Sequence, residues 1–387
     1  MPKKLIRITT VPQSLRGLLP GQMQFMSQHF DVIAISSPGR ELQDVAEKEQ
    51  VRTIAVPMSR SITPIEDLKS VLALYKIFKR ERPFIVHTHT PKAGTVGMIA
   101  AKIAGVPHRL HTVAGLPLLE ATGNRRKLLD FVEKVTYWCA TRVYPNSKGL
   151  KNIIENNKLT SDAKLKVIGN GSSNGIDTTH FSPAQVSAQK KDDLRSQLNY
   201  TAEHFIYLFI GRLVKDKGIN ELVSAFLNLQ RQNPHARLLL VGSLEQDLDP
   251  LHADILDAIN NNRFIDYVGP QADVRPYFAI ADVLAFPSYR EGFPNVVMQA
   301  GAMGVNSIVS DINGCNEIIR EGINGFIIPV KNEQALFEKM EYLYNNPDIN
   351  REMASRSRDT ISQNYERNFV WGELLKEYQM LNGNSNV

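Results

Sequence analysis

Short apolar runs alternate with segments of helical spacing along the whole of this sequence, and one polar stretch divides the alternation into two series. A short run that is apolar throughout suits a strand covered on both faces. Strands that alternate with helices join into parallel sheets through crossover connections. In the first series, strands are predicted at 5–8, 32–35, 51–56, 84–87, from 109, at 142–144 and at 166–168. Helices are predicted within 14–30 and over 42–49, 65–80, 93–104 and 127–140, the third with apolar positions at Leu68, Val71, Leu72, Tyr75 and Phe78. The stretch GNGSSNGIDTTHFSP at 169–183 reads as a hinge, followed by a polar helix before 200. Strands then recur at 205–210, 237–241, 265–268, 283–286, 307–309 and 325–328, and an amphipathic segment over 364–381 has no strand after it.

A chain of 387 residues exceeds one typical domain. The reading is therefore α/β, with two doubly wound Rossmann-like domains facing a central cleft. The first spans 1–180 and the second 181–363, and a C-terminal helix over about 364–387 packs back on the first. A hydrophobic content of 43% and a charged content of 22% fit a globular protein with real cores. No apolar run approaches the about eighteen residues of a membrane span, and the opening MPKKLIRITT predicts no secretory signal, so a cytoplasmic location is expected. Cys139 and Cys315 lie far apart without metal-ligand spacing and are expected to be buried and reduced. A net charge of +5 suits anionic ligands or an anionic membrane surface and is too small to argue for nucleic acid.

In open parallel sheets, ligands bind outside the carboxyl ends of the strands. The glycine-rich and polar clusters of this chain fall there. Val86 runs into HTHTPKAG, Leu110 into HTVAG, Ile210 into GRLVKDKG, Val241 into GSLEQD, Val268 into GPQAD and Val309 into SDINGCNE. The richest stretch is 288–304, SYREGFPNVVMQAGAMG, which reads as a glycine loop leading from a strand into a helix that opens at Pro294. Amides at such a helix start suit a phosphate or an oxygen-rich sugar, and Glu291 and Gln299 can hydrogen-bond sugar hydroxyls. In GRLVKDKG, Arg212, Lys215 and Lys217 stand beside two glycines, either as a diphosphate clamp or as a solvated basic loop.

His87 and His89 share one face of a strand, and His111 ends another. No third ligand stands at a recognisable spacing, so a hydrogen-bonding role or a structural one is expected, and no metal. Asp247 and Asp249 have the spacing of a metal-holding acidic pair, but a structural loop is favoured. There is no P-loop and no G-x-G-x-x-G after the first strand, so neither ATP hydrolysis nor a dinucleotide cofactor is supported.

Taken together, GRLVKDKG, the SYREGFP loop with its helix, and the NGID…FSP hinge resemble glycosyltransferase family four, retaining enzymes of the two-domain GT-B fold. HTHTPKAG and HTVAGLP further resemble bacterial members that build capsule, O-antigen or other lipid-linked glycans. The resemblance implies a nucleotide-sugar donor, more often a UDP-sugar, on the C-terminal domain. Catalytic roles would fall to Glu291, Arg212 and Lys217. The implied donor set is Gly211, Arg212, Lys217, Gly242, Val268, Glu291, Gly292, Phe293, Pro294, Asn295 and Gln299. Arg212 and Lys217 would bind the diphosphate, Glu291 the donor sugar, and Gln299 the ribose, where the family usually has a second Glu. A further departure is Ala114, where many members carry His before the glycine of HTVAG.

The N-terminal domain would hold a saccharide or undecaprenyl-linked acceptor near Thr10, His89, Lys92, Gly94 and His111. A retaining transfer along one face would let the departing phosphate act as base, with no metal or other cofactor required. The basic residues Lys69, Lys76, Lys79, Arg80 and Arg82, and Arg125 to Lys127, could touch anionic lipid and make the protein peripheral on the inner face of the cell membrane, or could line solvated helix faces. Two other functions share these features. One is a sugar-nucleotide epimerase or hydrolase of the same fold, which would turn over donor without acceptor. The other is a catalytically silent nucleotide-sugar-binding scaffold, which would bind without turnover.

Overall fold

The computed structural model describes residues 2–247 and 249–383. Contacts divide the chain into two compact units, residues 1–175 with 368–387, and 176–367. Sequence alone placed the divisions at 180 and 363. The chain leaves and returns side by side, because Ile176 N donates to Tyr365 O and Arg367 N donates to Ile176 O. That pairing puts the crossings at 175 and 367.

In the first unit the order is β1 (Lys4–Ile8), α1 (Pro12–Leu18), α2 (Gln22–Ser27), β2 (Asp31–Ser36), α3 (Arg40–Glu49), β3 (Arg52–Ala55), α4 (Pro64–Glu81), β4 (Ile85–Thr88), α5 (Pro91–Ala104), β5 (His108–Val113), α6 (Gly123–Cys139), β6 (Arg142–Pro145) and α7 (Lys148–Asn156). All strand pairs are parallel, in the order β3-β2-β1-β4-β5-β6. The chain steps outward from β1 to β3, jumps back beyond β1 to β4, and then steps outward the other way. Right-handed crossovers therefore place α1 to α3 on one face of the sheet and α4 to α6 on the other. Two separate apolar cores reflect this, one under α4 to α6 and one under α1 to α3.

The second unit repeats the scheme with α8 (Ala188–Gln197), β7 (Phe205–Ile210), α9 (Ile219–Gln230), β8 (Ala236–Val241), α10 (Ala253–Asn261), β9 (Ile265–Tyr267), α11 (Arg275–Ile280), β10 (Val283–Phe286), α12 (Asn295–Ala302), β11 (Asn306–Ser310), α13 (Cys315–Ile318), β12 (Gly325–Ile328), α14 (Glu333–Asn345) and α15 (Pro347–Tyr365). Its sheet is parallel, in the order β12-β11-β10-β7-β8-β9, so the reversal lies between β7 and β10. The four-residue β10 is buried throughout, as its unbroken apolar sequence requires. Both cysteines are free and buried.

Three sequence expectations change. The strand predicted at 166–168 is absent, and Leu165 makes one isolated bridge to Val143 before the chain turns at Gly169 and Gly171. The helix predicted within 14–30 is two short ones that meet near Pro20 and Gly21. The core face of α4 is Val71, Leu74, Ile77 and Phe78, whereas Leu68 and Leu72 are 60% and 52% exposed. The inward stripe follows the i, i+3, i+4, i+7 rule from Ser70 to Glu81, and Leu68 and Leu72 fall on its far side.

The last helix, α16 (Arg367–Gly383), belongs to the first unit from Asn368 onward. Residues 384–387, to which the C-terminal helix was expected to run, lie outside those described. Val370, Trp371, Leu374, Tyr378 and Leu381 are buried, and Trp371 packs on Phe25. The hydroxyl of Tyr378 is central. Arg7 Nη1 donates to it at 2.9 Å, and it stands 2.5 Å from His87 Nδ1. Arg7 can only donate to this hydroxyl, and the other ring nitrogen of His87, Nε2, stands 2.8 Å from Thr112 Oγ1. Arg7 is fully buried, and burial lowers its pKa, opposed by Tyr378 and Glu49. Tyr378→Phe should therefore leave two buried groups short of a partner and destabilise the protein by about 1–3 kcal/mol. Urea unfolding beside Tyr342→Phe, at a 42% exposed position, checks this.

Candidate donor and acceptor sites

The reversal between β7 and β10 opens a crevice at the carboxyl edge of the second sheet, flanked by the loops after those two strands. Lys217 comes from the first loop and Glu291 from the second, and Lys217 Nζ pairs with Glu291 Oε1. Their side chains are only 15% and 18% exposed, so the pair is far less screened than a surface bridge. Ser288 Oγ also donates to Glu291 Oε1, at 3.1 Å.

The two loops are stitched together. Tyr289 N donates to Asp216 O at 2.9 Å, Arg290 Nη2 to Asp216 Oδ2 at 2.6 Å, and Tyr289 OH to Glu221 Oε1 at 2.6 Å. Gly218 has φ +72°, and a Cβ there would stand 2.1 Å from Pro287 O. Only glycine lets the loops approach so closely.

α12 starts directly after the second loop. Its N-cap is Pro294, which offers no side-chain cap, so the first-turn amides keep their partial positive charge for a ligand. Asn313, from the loop after β11, donates to the carbonyls of Glu291 and Gly292, at 3.2 Å for the latter, and so holds the peptide planes of the loop. Asn295 is exposed and Gln299 half-buried, whereas Phe293 is buried against Tyr365 with ring centroids 5.3 Å apart. The Phe293 side chain is thus an anchor in the core.

Arg212 follows Gly211 at the end of β7. Its Nη1 donates to Glu245 Oε2 at 3.1 Å, and Ser243 Oγ donates to Glu245 Oε1 at 2.8 Å. These two bonds, Ser243 first, hold the Glu245 carboxyl below its usual pKa. The guanidinium stays 46% exposed and free to turn toward a ligand. Gly242 lies beside Gly211, and a Cβ on it would meet Gly211 O at 1.7 Å. Val268 N is taken by Leu240 O at 3.1 Å. Asp249 braces the first loop through Asp216 N at 2.6 Å, a structural use of the acidic stretch. Among the described residues no group of three or more His, Cys, Asp or Glu side chains is placed to hold a metal ion.

The first unit has the equivalent crevice between β1 and β4. Thr10 ends one side and Thr90 the other, with Oγ1 atoms 2.7 Å apart, and Ala93 N donates to Thr10 Oγ1 at 3.3 Å. His89 is 3% exposed, its ring 4.2 Å from that of His87. Neither of its nitrogens has a partner among the described residues, and it lines a cavity of about 20 Å³ with Thr112, Tyr144, Asn146, Ser172 and Ser173. Such a cavity has room for a water or one ligand oxygen. Lys92 pairs with Asp67 at 2.5 Å, and its side chain is 10% exposed. His111 faces the core, because α5 presents only Gly94 above its ring. A Cβ there would come within 2.4 Å of it. His111 Nδ1 lies 2.8 Å from Thr88 Oγ1.

Sequence reasoning missed Asn313, Ser288, Asp216 and Tyr378. The first three lie in strand-end stretches that were visible, but the contacts of Asp216 with Tyr289 and Arg290 and of Tyr378 with Arg7 and His87 join segments far apart in the chain.

Comparison with known proteins agrees. The family described as "Glycosyl transferases group 1" matches residues 190–360, and the one described as "Glycosyl transferase 4-like" matches 21–147. The chain is 33% identical over 379 residues, 97% of each chain, to the capsular polysaccharide biosynthesis glycosyltransferase CapM of Staphylococcus aureus. It is 31% identical over 307 residues, 78% of this chain and 77% of the other, to the UDP-Gal:alpha-D-GlcNAc-diphosphoundecaprenol alpha-1,3-galactosyltransferase of Escherichia coli. A glycosyltransferase structure from Rickettsia africae superposes with a TM-score of 0.79 at 21% identity, covering 99% and 100% of the two chains. The HepE structure from Anabaena in complex with UDP and glucose superposes at 0.80 and 19%, covering 98% and 100%.

Two predictions follow from these geometries. Gly218→Ala should force the loops apart and lower stability by about 1–3 kcal/mol, read by urea unfolding. Burial pushes the His111 imidazole down to about 4, and burial likewise holds His87 and His89 well below the ordinary value. The unfolded chain therefore takes up protons below about pH 6.5 that the folded one refuses. Stability should be fully present above that pH and fall as pH drops through 6.5 toward 4, checked by urea midpoints across that range, and His111→Asn should flatten the fall. With two Rossmann-like domains, a basic and acidic pair at the second switch point and relatives that align end to end, the chain belongs to glycosyltransferase family four, the GT-B enzymes.

Proposed function

We propose that this glycosyltransferase moves a hexose-type sugar from a nucleotide-sugar donor, a UDP-sugar in the favoured case, to a saccharide on an undecaprenyl-type lipid. The anomeric configuration is retained, and the product enters a bacterial surface polysaccharide. The observation that carries this reading is the half-buried Lys217–Glu291 pair, with Glu291 in the loop that leads into the uncapped start of α12. The names of the Staphylococcus aureus and Escherichia coli relatives support the capsule setting and the lipid-linked acceptor.

In the transfer, the bond between the anomeric carbon and the diphosphate oxygen breaks. Negative charge grows on the phosphate and positive charge on the sugar. Lys217, Arg212 and the α12 amides meet the first, already oriented by the loop network before donor arrives. Glu291 accepts hydrogen bonds from donor-sugar hydroxyls and keeps Lys217 in place, while Gln299 hydrogen-bonds the ribose. The acceptor hydroxyl attacks from the face the phosphate leaves, its oxygen bonds to the anomeric carbon, and its proton passes to the departing phosphate. No metal or other cofactor takes part. In the first unit, His89 offers a neutral imidazole to an acceptor oxygen, because burial and then the nearby His87 and Arg7 oppose its protonation.

A thermal-shift panel of UDP, GDP, ADP and their sugars without metal tests the donor. Nucleotides of one base should raise the melting temperature, and Arg212→Ala should remove the shift. No shift with any nucleotide would overturn the reading. Lys217→Ala should lower kcat about 10²- to 10³-fold in a transfer assay with a lipid-linked acceptor.

A further inference from the structure

The last turn of α15 joins the donor crevice to the point where the chain enters the second unit. Tyr365 closes that helix and is 5% exposed. Its ring packs on Phe293, in the loop that carries Glu291, with the planes inclined at 58°. Its hydroxyl donates to Glu317 O, in α13, at 2.8 Å. Its carbonyl accepts from Ile176 N at 2.8 Å, at the start of the second unit.

The hydroxyl bond matters because of what α13 carries. Asn313 and Gly314 lead directly into that helix. Asn313 Nδ2 holds the carbonyls of Glu291 and Gly292. Gly314 lies so close to the same loop that a Cβ on it would stand 2.5 Å from Gly292 O and 2.8 Å from Phe293 Cα. Tyr365 thus grips the Glu291 loop directly through Phe293 and indirectly through α13.

The rest of α15 fixes the helix that follows the loop. Ile361 and Ser357 lie one and two turns before Tyr365, on the same face. Gly301 of α12 meets them. A Cβ there would come within 2.5 Å of Ile361 Cγ1, so the missing side chain sets the spacing of the two helices. Arg358 Nη1 donates to Ala302 O, the last carbonyl of α12, and to Phe181 O at 3.0 Å, and its Nη2 donates to Thr178 O at 3.0 Å. A cation at this end suits the negative pole of the α12 dipole. α15 therefore holds α12 at its start, through Tyr365 and Phe293, and at its end, through Arg358.

We infer that α15 is the positioning element of the donor site, and that Tyr365 is the positioning residue that sets where the Glu291 carboxylate and the first-turn amides of α12 stand. Tyr365 acts through Phe293 and Asn313 and not on the donor itself. The effect on turnover rests on the transferase reading, whereas the bracing does not. A brace of this kind supplies preorganisation, so its loss weighs on the transition state more than on donor binding.

The test compares Tyr365→Phe with Tyr207→Phe in the full chain. Tyr207 OH donates to Met340 O at 2.7 Å in the same unit, so each substitution removes one buried hydroxyl–carbonyl bond, and the urea midpoints should fall alike. Amide hydrogen exchange of the ligand-free proteins should rise over 291–296 and 313–318 in Tyr365→Phe and stay at the wild-type level there in Tyr207→Phe. Phe293→Leu, which breaks the ring contact from the other side, should repeat the rise over 291–296. In the transfer assay Tyr365→Phe should lower kcat about tenfold and move the donor KM less than about threefold, with both near wild type in Tyr207→Phe. Exchange that stays unchanged, or that the control raises as far, would overturn the inference. So would a kcat that Tyr365→Phe leaves unchanged or that the control lowers equally. Absence of transfer by the wild-type protein would count against the transferase reading instead, and exchange alone would then decide the bracing.

Discussion

Each sheet reverses its strand order once, and that constraint positions everything else. Right-handed crossovers force successive helices onto one face until the chain jumps back past its first strand. At the jump, the loops on either side must diverge, and a crevice opens at the carboxyl edge. In the second unit the diverging loops carry Lys217 and Glu291, and in the first they carry Thr10 and His89.

What the reversal opens, local bonds hold rigid. The second-unit crevice would be a loose gap if the loops moved independently. Asp216, Tyr289, Arg290 and Asn313 tie them, and Gly218 allows the contact with Pro287. A cation fixed before the ligand arrives stabilises developing charge without paying for its own reorganisation. The Lys217–Glu291 pair is thus a preset field, with the carboxylate keeping the ammonium where the proposed donor's diphosphate would need it.

The first unit carries a different kind of polar core. Arg7, His87 and Tyr378 form a buried network that spans nearly the whole length of the chain. Such a network is costly unless fully satisfied, and the satisfaction depends on α16 supplying one hydroxyl. Arg7 Nε and, one pleat along, both ring nitrogens of His89 are left without a partner among the described residues, His89 at a cavity. Burial keeps these imidazoles neutral near pH 7, which ties the readiness of the site to the stability of its surroundings.

The fold class and the strand ends that carry the proposed donor residues were legible in the sequence, because buried parallel strands are apolar throughout and the residues at their ends must be polar or glycine. The pairing of Lys217 with Glu291 could be suspected from loop composition, but not its burial or its braces, which join segments about 70 residues apart. The sequence also misjudged α4. Leu68 and Leu72 look like core residues at helical spacing, and two apolar stripes on one helix cannot be told apart by periodicity alone. Only packing against α5 and the sheet decided that Val71, Leu74 and Phe78 face inward and Leu68 and Leu72 outward. His111 likewise stood at a strand end where a ligand could meet it, and Gly94 across from it drew its ring into the core instead. The sequence by itself determined which backbone the chain would build, through local pattern. The tertiary structure decided which side chains met, because that depends on how elements distant in the chain come to lie side by side.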